Sequence, residues 1–374
     1  MIYFDNAATS YPKPSEVISA VNSFIRRANG NPGRGGHALA MRAAEEVYLC
    51  RKKVAGLLGA GEPERVCFTS GATAALNYAI LGLIGRYDHV ICSDIEHNSV
   101  RRPLLQTGAE ISYFDAFADE AAVLEEIDSK IKYNTKAVVC TYASNVLPLV
   151  LPVSAIGALC RKRGVAFIVD AAQAAGVYGI DMRADNIDVL CIPAHKGLYG
   201  LTGCGAVIFS PDFDCMKIKP LLSGGSGVAS FDPGMPEVLP ERFEAGTLPT
   251  AGIAALGAGV DFVLSKGPSE ILCHEVRIQR RIYDNLKDNE KIRFYRYAPG
   301  TLLLFNFEGK TSEEAARLLN GYGVCVRAGF HCAPDAHKKT ATDKTGAVRI
   351  SFSVFNTVKQ ADRFSDIAEH ISRL

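Results

Sequence analysis

Lys196 directly follows His195, at the end of the apolar run Ile187-Asp-Val-Leu-Cys-Ile-Pro193. An amine that attacks a carbonyl needs a rigid backbone and little water, conditions under which its pKa falls. A lysine alone is more commonly a solvated surface charge. Four other apolar runs in this chain also end in polar groups with chemistry to offer. Val66-Cys-Phe-Thr-Ser70 enters Gly71-Ala72-Thr73 and then a helical stretch. A glycine turn opening a helix presents free N–H groups and a positive dipole end that suit a phosphate, and an ordinary Ser or Thr cap reads equally well. Val90-Ile-Cys-Ser93 leads to Glu96-His97-Asn98, where an imidazole could stack on a planar ring and carry protons. Ala137–Tyr142 leads to Ser144-Asn145, whose amide could bond a cofactor oxygen or a carboxylate. Val165-Ala-Phe-Ile-Val169 ends in Asp170, with Gln173 three residues on. A carboxylate there suits a protonated pyridine nitrogen, which turns the ring into an electron sink. A helix-capping aspartate is the plainer alternative.

Two pieces lie further on. Val348-Arg349-Ile-Ser-Phe alternates like a strand and carries a guanidinium that could clamp a carboxylate with its planar fork; a strand-surface salt bridge is the default otherwise. Arg327-Ala-Gly-Phe-His331-Cys332-Ala-Pro334 places a thiol on a glycine-punctuated loop beside a cation and an imidazole, a setting that favours thiolate. The other ten of the 11 cysteines are scattered singly, mostly in apolar runs, with no C-x-x-C pair. They read as small hydrophobes, and the usual metal-ligand spacings are absent. In order, the strand ends supply a phosphate site, a ring stacker, an oxygen ligand, a pyridinium partner and a reactive lysine. Those are the requirements of pyridoxal phosphate (PLP).

These groups must be placed by an open α/β sheet, in which ligands bind beyond the carboxyl ends of the strands. Candidate strands are Arg65–Thr69, His89–Ser93, Glu110–Tyr113, Ala137–Tyr142, Val165–Val169, Val189–Ile192 and Gly205–Ser210. Helical periodicity marks Glu16–Arg27, Ala38–Leu58, Thr73–Ile84, Glu120–Ile131 and Val153–Arg163. The last strand follows the glycine turn Gly200–Gly205 and reads as antiparallel. Ser223–Pro240 has neither period and reads as a surface loop, lid or partner contact. Thr250–Ser265 reads as an apolar helix linking to a smaller α+β region, Gly267–Leu374. The 374 residues allow two to three domains. A hydrophobic share of 48%, a charged share of 22% and a net charge of +1 point to an ordinary globular protein, with nothing in the bulk charge to suggest nucleic acid or an anionic membrane. No apolar stretch approaches a membrane span and the N-terminus lacks a signal-peptide pattern, so a cytoplasmic protein is expected.

Together these residues resemble the PLP-dependent cysteine desulfurases of the class V aminotransferase group, most closely the branch that includes selenocysteine lyases. The resemblance covers nearly the whole chain: Tyr3-Phe-Asp-Asn-Ala-Ala-Thr9, Arg34-Gly-Gly-His37, Phe68-Thr-Ser-Gly-Ala-Thr73, Glu96-His97-Asn98, Asp170-Ala-Ala-Gln173, Ala194-His-Lys-Gly197, Phe243-Glu-Ala-Gly-Thr247, Arg327-Ala-Gly-Phe-His-Cys-Ala333 and Arg349. It implies a fold-type I transferase with a mostly parallel central sheet, helices on both faces and a smaller C-terminal α+β domain. The arm would span 1–13, the large PLP-binding domain 14–255, and the linking helix with the small domain 256–374. It further implies that Lys196 holds PLP and moves the α-proton. Asp170 would meet the pyridine nitrogen, Gln173 the phenolic oxygen, and His97 the ring. Ala72, Thr73 and His195 would hold the phosphate. Gly246 and Thr247 would reach the cofactor of the second subunit of a homodimer. Asn145 and Arg349 would bind the substrate carboxylate, and Cys332 would take the sulfur; Arg327 and His37 sit in matching motifs without an assigned step, Arg327 being grouped with the substrate ligands. The reaction implied is L-cysteine to L-alanine with a persulfide on Cys332, passed to an acceptor that the sequence does not identify. L-Selenocysteine is an alternative substrate, and an aminotransferase or carbon–sulfur lyase that does not use Cys332 is an alternative enzyme. A non-catalytic scaffold is the alternative outside enzymes, and the intact Lys196, Asp170 and Arg349 argue against it. Two positions depart from the family pattern. Pro193 replaces a serine that donates to the phosphate, and Phe330 replaces a second histidine before the thiol.

Overall fold

The computed structural model describes residues 1–33 and 35–374. Its central element is a seven-stranded sheet in the order Val66–Thr69, Gly205–Phe209, Val189–Pro193, Ala166–Asp170, Thr135–Thr141, His89–Ser93, Glu110–Phe114. Gly205–Phe209 runs antiparallel to both neighbours and the remaining pairs are parallel. Apart from the edge strand Glu110–Phe114, which is partly exposed, the strands read as largely apolar runs because both faces are covered. Val138, Cys140, Phe167 and Val169 point into one apolar layer, and Ala137, Val139 and Ile168 into the other. Six parallel-running strands therefore bring Ser70, His97, Thr141, Asp170 and Lys196 to a single edge.

The expected elements are present with ends displaced by one or two residues, except that one helix was not expected. Asn98–Thr107 starts immediately after His97 and contains Pro103. An internal proline and a polar composition hide such a helix from a periodicity reading. Segment 223–240 contains only turns and bends, and Phe231 within it is fully exposed. Among the described residues no helix is long and apolar enough to cross a membrane.

The C-terminal part builds an antiparallel sheet in the order Arg327–Gly329, Ala347–Ser351, Leu302–Phe307, Ile292–Phe294. Helices Pro268–Leu286 and Val358–Ser372 cover it through Ile278, Ile282, Phe364 and Ile371. The chain's start completes this core. Ile2–Tyr3 pairs in parallel with Val324–Cys325, and Phe4 sits edge-on to Phe352 and Phe364. The arm then crosses to the lysine. Ser10 N–H donates to the His195 carbonyl at 3.0 Å, and the hydroxyls of Thr9 and Ser10 and the Lys13 ammonium converge on the same oxygen.

Helix Thr250–Lys266 backs the lysine hairpin at very close range. A Cβ added at Gly259 would lie 2.0 Å from the carbonyl oxygen of Leu198, two residues beyond Lys196. Only the absence of a side chain lets that helix support the hairpin. Gly259→Ala is expected to lower the unfolding free energy by roughly 1–3 kcal/mol through overpacking. Gly56→Ala, at a helical glycine with open space around it, is expected to be neutral or stabilising by up to about 1 kcal/mol. Denaturant unfolding of the two variants measures the contrast, and equal midpoints would refute the close-packing account.

Candidate active site

A cavity of about 230 Å³ opens at the carboxyl edge of the central sheet. Ala72, Thr73, His97, Asn145, Asp170, Gln173, His195 and Lys196 all line it. At one end lies the start of helix Ala72–Leu83, which has no side-chain cap. Its first N–H groups and dipole end are free for an anion. Gly71 has φ +146°, and a Cβ on Gly205 would come within 2.7 Å of the Gly71 Cα, so this turn depends on glycine at both places. Close by, the buried Nδ1 of His195 has no partner among the described residues. Burial and the neighbouring Lys196 hold that imidazole's pKa down to about 4, so at neutral pH it is an uncharged ring. Pro193 lines the cavity here and offers no hydroxyl.

The opposite wall carries the charges. Asp170 is buried, which raises its pKa, while the Ala172 N–H donates to it at 2.9 Å and Lys196 pulls the other way. Lys196 is half-buried. Loss of solvent around the amine brings its pKa down to about 8; Asp170 opposes that fall and the cations Arg349 and Arg327 add to it. His97 is lowered to about 4, first by burial and then by Lys196 and Arg349. Its Nδ1 accepts from the Ser99 N–H at 3.0 Å, which leaves the ring proton on Nε2. Ser99 Oγ in turn meets Thr73 Oγ1 at 2.8 Å, linking the ring wall to the anion end. Gln173 Nε2 donates to the Ala7 carbonyl at 3.1 Å, so the arm closes that side.

Arg349 and the loop carrying Cys332 form the rim. Arg349 is buried, with only 2% of its surface exposed, which rules out the surface salt bridge as its setting. Nη1 donates to the Asn145 carbonyl at 2.8 Å, Nη2 donates to Asp5 at 3.1 Å, and Nε is buried without a partner. Asn145 Nδ2 donates to the His331 carbonyl at 2.7 Å, and the Asn98 N–H donates to the Cys332 carbonyl at 2.7 Å. The thiol's main chain is therefore tied to two segments that line the cavity, while Cys332 itself is exposed. The His331 imidazole is buried and neutral, its pKa held far below the usual range, so Arg327 is the cation near Cys332. Arg327 lies outside the cavity lining, and its Nε and Nη2 bind Asp5 at 2.8–3.1 Å.

Three predicted positions stand apart from the cavity. Gly246 and Thr247 line a separate cleft of about 660 Å³ with Asn31, Tyr48 and Gly225. His37 caps helix Ala38–Leu58, its Nδ1 accepting from the Ala40 N–H at 3.3 Å. Arg34, from the same motif, lies outside the described residues. Asp5, which joins Arg327 to Arg349, was not foreseen as a site residue. It belongs to a quoted motif, but nothing in the sequence ties it to partners 322 and 344 positions away.

Residues 2–364 match the family model for aminotransferase class V. The chain belongs to this family. Among its relatives, a protein of Methanothermobacter thermautotrophicus described as a probable cysteine desulfurase is 33% identical, over 99% of this chain and 94% of the relative. A cysteine desulfurase of Haloferax volcanii is 30% identical over 98% of this chain and 88% of its own length. The apo structure of a cysteine desulfurase from Thermococcus onnurineus superposes with a TM-score of 0.89 at 29% identity, covering 100% of this chain and 94% of the other. An Escherichia coli cysteine desulfurase does so with a TM-score of 0.87 at 27% identity, covering 98% and 94%. The fold of this class V chain is thus the α/β fold of those enzymes.

The lowered pKa of Lys196 has a direct consequence for cofactor capture. Only the neutral amine attacks an aldehyde, and the neutral form is half populated near pH 8. In cofactor-free protein, the rate of covalent PLP uptake, followed by absorbance, is expected to rise with pH and level off above about 8. A rate still climbing tenfold per pH unit at pH 9.5 would show that the lysine is not depressed.

Proposed function

We propose that this protein is a PLP-dependent cysteine desulfurase that takes sulfur from L-cysteine onto Cys332 and releases L-alanine. The observation that carries the reading is the docking of the Cys332 loop on the lysine cavity, through the Asn98 N–H to the Cys332 carbonyl and the Asn145 amide to the His331 carbonyl. A transaminase that works without a thiol has no use for such a contact.

The residues fit PLP. The uncapped amides at Ala72 and Thr73 and the unpartnered His195 Nδ1 would hold its phosphate. Asp170 would face the pyridine nitrogen, His97 would cover the ring, Gln173 would meet the phenolic oxygen and Lys196 would make the covalent attachment. When bound, PLP supplies an electron sink for the charge left as the substrate loses its α-proton.

The chain's own groups do the rest. Arg349 and Asn145 fix the substrate carboxylate, using the guanidinium N–H groups not taken by Asp5 and the Asn145 carbonyl. Lys196, released by the substrate amine and neutral near pH 8, takes the α-proton. The Cys332 thiolate attacks the substrate sulfur, forming an S–S bond as the bond from sulfur to the β-carbon breaks; that electron pair stays with the β-carbon, which takes up a proton to become the methyl group of alanine. The persulfide then passes to an acceptor thiol. Gly246 and Thr247, remote from this cavity, serve the cofactor of a second subunit, so the working unit is a homodimer.

Cys332→Ala is expected to abolish alanine and sulfide production from L-cysteine while leaving the bound cofactor's absorbance intact. Full activity in that variant would favour a carbon–sulfur lyase instead. Arg349→Lys removes the planar fork and is expected to raise KM for L-cysteine by roughly 10–100-fold, the worth of a charged hydrogen bond. Steady-state kinetics with an unchanged KM would remove Arg349 from the carboxylate site.

A further inference from the structure

Cys332 is presented from an unusual stretch of backbone. His331 and Cys332 have φ of +49° and +56°, two successive side-chain-bearing residues in the left-handed region. In that region the Cβ crowds the following carbonyl, and only glycine enters it freely. Something must hold the pair there. Hydrogen bonds from Asn98 and Asn145 fix the two carbonyls but leave the His331 side chain to be accounted for.

That side chain enters a buried chain of polar groups. His331 Nε2 lies 3.3 Å from the Arg327 carbonyl. A carbonyl only accepts, so the ring proton is on Nε2 and Nδ1 is an acceptor. His337 Nε2 stands 3.0 Å from that Nδ1 and must be its donor. His337 Nδ1 is then bare and accepts from the Thr342 hydroxyl at 2.7 Å. The two rings lie edge to edge, with centroids 5.2 Å apart and planes 15° from parallel, as an in-plane N–H···N bond requires. Phe330 closes the end edge-on to His337, at 5.6 Å. His337 and Thr342 have no exposed surface at all. One acceptor carbonyl thus fixes the tautomers of both rings, and a single direction of donation runs from Thr342 to Arg327.

We infer that His337 is a positioning residue for Cys332: its Nε2–H, locked by Thr342, holds the His331 ring and with it the left-handed backbone that presents the thiol. The inference rests on Cys332 being the sulfur-accepting nucleophile, and it deepens that reading. His337 touches neither substrate nor cofactor and acts through its neighbour. Both rings are neutral, so the chain works as a strut with a fixed donor order, and no proton needs to travel along it. The strut gives the loop one resting geometry, and a misplaced thiol costs rate without costing substrate affinity.

The test compares His337→Met, His337→Gln and Thr342→Val with the parent holoenzyme. Glutamine keeps an N–H donor near the position of Nε2, and methionine fills similar space without one. The readouts are kcat and KM for L-cysteine, cofactor absorbance, and the rate of Cys332 alkylation by iodoacetamide followed by mass spectrometry. For His337→Met, kcat is expected to fall roughly 10–100-fold with KM within about threefold, cofactor absorbance unchanged and the alkylation rate altered by about tenfold. His337→Gln should recover most of both rates, and Thr342→Val should move them less, in the same direction. Methionine and glutamine variants that behave alike would overturn the inference, as would a Met variant whose kcat and alkylation match the parent. If His337→Met fails to fold, parent-like rates in Thr342→Val overturn it. Desulfurase activity in Cys332→Ala would instead sink the underlying functional reading, while the alkylation comparison would still judge the strut.

Discussion

One carboxylate, that of Asp5, holds the arginine-bearing rim of the cavity together. Arg327 and Arg349 sit opposite each other on adjacent antiparallel strands, so two guanidiniums share one register. Arg349 is buried, and burial with its cationic neighbour brings its pKa down to about 10. Left unpaired, such a charge would cost on the order of 3–5 kcal/mol. Asp5 binds both, which removes the mutual repulsion and leaves the trio with a net charge of one. That remaining charge, with the free Arg349 Nε–H, matches one carboxylate and no more.

Asp5 belongs to an arm that starts in one core and ends on another. Ile2 and Phe4 are buried among the C-terminal helices, while Thr9, Ser10 and Lys13 converge on the carbonyl of His195. The carboxylate clamp and the reactive lysine are therefore held by one short segment of chain, with Asp5 midway. One segment thus reaches from the core of the small sheet that carries Arg349 to the carbonyl of His195, although the two ends lie in parts formed far apart in sequence.

This arrangement explains which parts were legible in the sequence. Lys196, Asp170, His97, Asn145 and Thr73 each follow an apolar strand, so a local pattern plus the rule that ligands bind beyond strand carboxyl ends places them on one edge. Both faces of those strands are buried, and unbroken apolar runs announce them. Asp5 was not legible because a carboxylate on a terminal arm acquires meaning only through arginines more than 300 positions away. The helix after His97 was masked by Pro103. The thiol loop was legible in composition but not in electrostatics. Nothing local to the loop shows that burial makes its histidine a neutral ring paired with His337.

The same logic of burial governs Lys196. Its nearest opposite charge, Asp170, works to keep it protonated, and that alone would leave a poor nucleophile. Loss of solvent around the amine outweighs the carboxylate, and the two arginines add a smaller push in the same direction. On the proposed function the two arginines would therefore do two jobs with one charge: they would attract an anionic substrate, and they help keep the lysine amine uncharged. Asp5 tempers the second effect as it neutralises half of the first, since it opposes the arginines at Lys196 as well. In the proposed reaction, a substrate carboxylate arriving at Arg349 would add another negative charge on that side. By Coulomb's law it weakens the arginines' influence and raises the proton affinity of Lys196. The base thus becomes stronger when the molecule it must deprotonate is in place.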